Sequence, residues 1–108
     1  MDKPSKIVLE TAVQRFGKRS QIIKTIEECA ELQKALSKYL LAMDRPGEID
    51  VYLVENVVEE LADVSIMTKQ MVHIYGHLNF YRKRQEKVDK LDTLLNMSSK
   101  GGMDGNKC

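Results

Sequence analysis

Only two cysteines, Cys29 and Cys108, occur in 108 residues. They make no disulfide framework and match no zinc spacing, so a reducing cytosol is the default. A basic excess is also missing. The net charge of +1 lacks the electrostatic footprint expected of a dedicated DNA-binding module. No run approaches the ~18 apolar residues of a membrane span, and the opening MDKPSKIVLE has no signal-peptide core. A soluble cytoplasmic chain with neither DNA nor membrane as partner is expected. Proline is scarce, at Pro4 and Pro46 only, which favours a few long helices over a sheet.

Length allows one domain over residues 1–96, burying roughly 65% of its unfolded surface. The remainder, residues 97–108, contains SSKGGMDGNKC after Met97, is polar and glycine-rich, and is expected to be a disordered tail. A first helix is predicted over about 5–16, ended by Gly17, and Ser20 either caps or joins the second. That second helix reaches about Leu41, with Ile22, Ile26, Cys29, Leu32, Leu36 and Leu40 forming an apolar stripe at spacings of three and four. Cys29 is expected in the core. Pro46 and Gly47 make a turn and Asp50 caps a third helix over about 51–76, with a fourth over about 79–96. The expected fold is all-α and four-helix bundle-like, its two long helices antiparallel.

Carboxylates recur on those two helices, in EECAEL at 27–32 and EELADV at 59–64. On a helical wheel Glu60 falls inside the apolar face of the third helix and Asp63 borders it, while Glu28 sits at the edge of its stripe with Glu31 one step out. A carboxylate on a packed face must be paired, protonated or bound to a cation. No lysine or arginine lies between Pro46 and Thr68 to pair it. EECAEL alone reads as a solvated face near Lys24, Lys34 and Lys38. Packed antiparallel, however, the two helices bring Glu28, Glu31, Glu60 and Asp63 together. Four carboxylates suit a hard divalent cation, Mg²⁺ first, with Mn²⁺ as a substitute. A di-iron centre would want Glu-x-x-His, and Glu31 and Asp63 stand where the histidines belong.

At these residues the chain resembles the MazG-like members of the all-α nucleoside triphosphate pyrophosphohydrolase superfamily. Their EExxE and ExxD signature is matched by Glu27, Glu28 and Glu31, then, after 28 intervening residues, by Glu60 and Asp63. The resemblance implies Mg²⁺-dependent hydrolysis of (deoxy)nucleoside triphosphates to monophosphate and pyrophosphate, a nucleotide-pool house-cleaning activity. It also implies that Glu28, Glu31, Glu60 and Asp63 are metal ligands and that the assembly is a homodimer or homotetramer. Glu27 matches the family's first glutamate, suited to orienting or deprotonating the attacking water; its other reading is a solvated residue beside Lys24.

Basic and amide groups have to meet the phosphates. Lys24 and Gln21 flank the cluster on the same helix, and Arg84 lies mid-stripe on the fourth helix. There Arg84 either faces the cluster or triphosphate, or snorkels past the core to solvent. His73 and His77 point away from the apolar stripe of their helical rhythm and read as surface residues. Met67 and Met71 read as packing or as the wall of a base pocket. Without tryptophan, stacking on a base falls to Tyr39, Tyr52, Tyr75, Phe80 or Tyr81. Two rivals stand beside this reading: a phosphoribosyl-ATP pyrophosphohydrolase-like enzyme, for which the 28-residue interval is long, and a non-catalytic helical interaction module.

Overall fold

The computed structural model describes residues 5–100, with side chains through 97. The described residues are all-helical: α1 (Ser5–Phe16), α2 (Lys18–Met43), α3 (Val51–Tyr75) and α4 (His77–Lys100), without a strand. No described helix is long and apolar enough to cross a membrane. Where one domain is expected over 1–96, the chain clusters into two compact units, the first ending at Ile74 and the second beginning at Tyr75.

Local chemistry accounts for the helix boundaries. Gly17 at φ +88° accepts a turn that a side chain rarely tolerates. Its N–H donates to the Val13 carbonyl to close α1, and its carbonyl accepts from Gln21 N–H to start α2. Ser20 therefore joins α2 rather than capping it. Gly76, at φ +113°, stands between α3 and α4, and its carbonyl accepts from Phe80 N–H at 3.3 Å. Asp50 is the expected cap: its Oδ1 accepts the Tyr52 N–H at 2.9 Å, and its carbonyl accepts Leu53 N–H at 3.0 Å. Asp50→Ala should cost about 1 kcal/mol. In a chain of this size that lowers the melting temperature by roughly 4–8 °C, which a thermal melt reads directly.

In the first unit, α2 and α3 run antiparallel, since Glu28 meets Glu60 and Asp63 while Gln21 shares a cleft with Met67 and Gln70. Burial recurs on α2 at Gln21, Thr25, Glu28, Leu32, Ala35, Tyr39 and Ala42, and on α3 at Leu53, Val57, Glu60, Val64, Met67, Met71 and Ile74. Both sets alternate steps of four and three, the heptad spacing of a coiled-coil seam. On α3, Val57, Val64, Met67 and Met71 of the expected apolar stripe lie on the packed face, while Val54 and Leu61 are exposed. On α2 the assignment of the stripe to the core is corrected: Ile26, Cys29, Leu36 and Leu40 are exposed. The packed face of α2 is turned toward Glu28, where small Thr25, Ala35 and Ala42 permit close approach. A carboxylate thus lies within the seam on each helix.

The second unit contains α4, which carries its apolar residues Leu78, Tyr81, Val88, Leu91 and Leu95 exposed. The rings of Phe80 and Tyr81 meet edge to face, their centroids 5.0 Å apart. The helix continues to Lys100, so residues 97–100 of the expected tail are helical, as no breaker precedes the pair Gly101 and Gly102. The rest of that tail lies outside the described residues.

Candidate metal centre and adjoining cleft

The seam brings three of the four expected ligands together. Glu28, Glu60 and Asp63 each present a carboxylate oxygen, all within 4.8 Å of one another, and all three residues are partly buried. Oxygens bound to one Mg²⁺ at about 2.0–2.1 Å stand no more than about 4.2 Å apart across the ion, so small side-chain adjustments would close the set. Glu31, one turn beyond Glu28, is exposed and outside that group.

Electrostatics single out Glu60. Desolvation pushes its carboxyl above the ordinary value of 4.5, and the neighbouring Asp63, Glu28, Glu31 and Glu59 push it in the same direction. Glu31 therefore belongs to the field of the site. One Glu60 oxygen, Oε2, is sealed from solvent and has no hydrogen-bond partner. Among the described residues, Lys24 offers the cluster partial relief: its Nζ stands 3.6 Å from Glu28 Oε1, with the lysine half exposed. An all-oxygen donor set with an orphaned carboxylate oxygen fits a hard divalent cation bound by Glu28, Glu60 and Asp63.

Beside the cluster a cleft of about 760 Å³ opens between α1, α2 and α3. Phe16 and Met67 provide apolar wall, Gln21 and Gln70 amides, Lys24 a cation and Glu27 a carboxylate. Its size is that of a small-molecule site. The expected flanking residues Gln21 and Lys24 both line it, as does exposed Glu27. Arg84 lies on α4, in the second unit, and is exposed. His73 departs from the simple surface reading. Its side chain is 35% accessible, and Nδ1 stands 3.7 Å from Glu10 Oε2, linking α3 to α1 when the imidazole is protonated.

Neither Phe16 nor Arg19 had been expected at a site, yet both line the cleft, Phe16 61% exposed. Gln70 went unnoticed, although it lies seven residues after Asp63 and hence on the same line of α3. A polar residue two turns from a ligand on a packed helix was the available signal.

Fold and site together define an all-α protein with a cluster of three carboxylates, one of them beside Lys24 of a neighbouring cleft. No protein-family model, curated protein or solved structure significantly matches the chain.

Proposed function

We propose that the chain is a MazG-like pyrophosphohydrolase, hydrolysing (deoxy)nucleoside triphosphates to monophosphate and pyrophosphate with Mg²⁺, and with Mn²⁺ as a substitute. The carrying observation is Glu60, a partly buried carboxylate with one sealed, unpartnered oxygen beside Glu28 and Asp63. A stable soluble fold has little reason to retain that arrangement unless a cation completes it. When bound, the metal neutralises triphosphate charge and lowers the pKa of water.

The protein's own groups have separable tasks. Glu28, Glu60 and Asp63 hold the cation, with Glu31 adding negative charge one turn away. Lys24, at the cleft wall and already 3.6 Å from Glu28, turns to phosphate oxygens when the cation takes over Glu28. Glu27, exposed on the same wall, orients the attacking water and accepts its proton. Gln21 and the apolar wall receive the nucleoside end. The exposed, unpaired Cys29 thiol suits a reducing cytoplasm. The exposed apolar stripe of α2 supports a homodimer or homotetramer.

A pyrophosphate-release screen over standard and modified triphosphates tests this reading. Pyrophosphate and nucleoside monophosphate should appear in equal amounts, only with Mg²⁺ or Mn²⁺, and disappear on chelation. If no triphosphate is cleaved, and Mg²⁺ with a non-hydrolysable nucleotide leaves the melting temperature unchanged, the helical interaction module is the better description.

A further inference from the structure

Gln70 has an unused hydrogen-bonding capacity that the proposed chemistry does not require. The residue is 4% exposed, its Oε1 is sealed from solvent without a hydrogen-bond partner, and it lines the cleft. Buried amide oxygens are normally paired, because an unpaired one keeps the full cost of lost hydration. Because Gln70 borders the cleft, a turn of its amide would bring this orphan acceptor to a ligand's donor.

Its position indicates which part of a ligand that is. Gln70 lies seven residues beyond Asp63 on α3, and Gln21 lies seven residues before Glu28 on α2. Because the helices are antiparallel, both amides are displaced from the carboxylates in the same direction, by two turns or about 10.5 Å. That separation is the reach of a nucleoside from its 5′ phosphate to the outer edge of its base. Phe16, exposed at the same cleft, offers a ring face on which a base can stack.

We propose that Gln70 is a base-reading residue: its Oε1 accepts an N–H from the outer edge of a nucleobase whose phosphates lie at Glu28, Glu60 and Asp63. This rests on the pyrophosphohydrolase reading and goes beyond it, since it assigns base preference to one amide. A site built to bond a donor rejects an analogue lacking it.

Gln70→Met keeps the volume and removes the amide. For the preferred triphosphate, kcat/KM should fall about 10- to 100-fold, the usual discrimination of one amide–base contact, chiefly through KM. The ranking among bases should flatten, and the melting temperature should stay level or rise because an orphan acceptor is gone. In wild type, an analogue methylated at the recognised nitrogen should lose as much, and it should lose nothing further in Gln70→Met. An unchanged ranking in Gln70→Met, with Glu60→Gln inactive, overturns the proposal and leaves the hydrolase reading intact. If wild type cleaves no triphosphate, the hydrolase reading fails, and NMR titration with the nucleoside monophosphates decides the base contact. Movement of the Gln70 side-chain amide resonances supports it; no movement overturns it.

Discussion

Glu60→Gln should abolish divalent-cation binding and pyrophosphate release while making the metal-free protein more resistant to heat. Loss of a direct ligand should exceed the about 10- to 100-fold that removal of an outer-shell partner costs. The gain in stability comes from the same atom. In the metal-free protein, ionising Glu60 is opposed by desolvation and by Asp63, Glu28, Glu31 and Glu59, all of which raise its pKa. Glutamine keeps the shape and discards the charge. A residue whose only role is structural would lose stability on substitution, so the opposing movement of activity and melting temperature separates the two roles.

The pH dependence follows with a fixed sign. Glu60 binds its proton more tightly in the folded chain than in the unfolded one, where 4.5 is the ordinary value. Between that value and its raised folded pKa, the native state holds the extra proton, so stability contributed by this group falls as pH rises. Below 4.5 the contribution is fully present, and above the folded pKa it is gone. In chelator, the melting-temperature advantage of Glu60→Gln over wild type should therefore widen as pH climbs through this window and then level off. Under the proposed function, saturating Mg²⁺ should reverse the order, because Glu60→Gln lacks one of the proposed ligands. A constant difference across the window would refute the role given to Glu60.

Why Glu60 was legible from the chain, and Gln70 was not, has a physical basis. On α3 the packed face carries Leu53, Val57, Val64, Met67 and Met71 around Glu60, so a carboxylate within that face is conspicuous. Helix boundaries were legible for a similar reason, because Gly17, Pro46 with Gly47, and Gly76 punctuate otherwise uninterrupted helical rhythm. On α2 the apolar stripe and the packed seam differ. Hydrophobicity favours Ile26, Cys29, Leu36 and Leu40, but α3 packs against the face holding Ala35 and Glu28. Nothing within α2 decides between its two faces; the approach of α3 does. Gln70 was hidden because a lone amide in a helix is unremarkable until its oxygen is known to be sealed and unpaired.

The unpacked stripe of α2 leads to the second large effect: Val58→Glu should split an assembly of wild-type chains into 12.4 kDa protomers. On α3, Val54, Val58 and Leu61 are exposed, and on α2, Leu36 and Leu40 are exposed as well. Each set is rotated from the seam by roughly 100° in the same sense, which in an antiparallel pair puts both on one face of the hairpin. Val58 is 59% and Leu40 58% accessible, so these side chains are largely uncovered within one chain. Burying five such residues against a second copy would contribute on the order of 1.5–3 kcal/mol each before the costs of association. A carboxylate introduced at position 58 would enter that contact unpaired and weaken it by about 4 kcal/mol, or roughly a thousandfold in Kd. Sedimentation over a range of concentrations should show wild type above protomer mass and Val58→Glu at it. Lys34→Glu, on the outer side of α2, should assemble as wild type does. The melting temperature of wild type should rise with protein concentration, and that of Val58→Glu should not. Wild type that sediments as a protomer at every concentration would assign the face to a partner other than this chain.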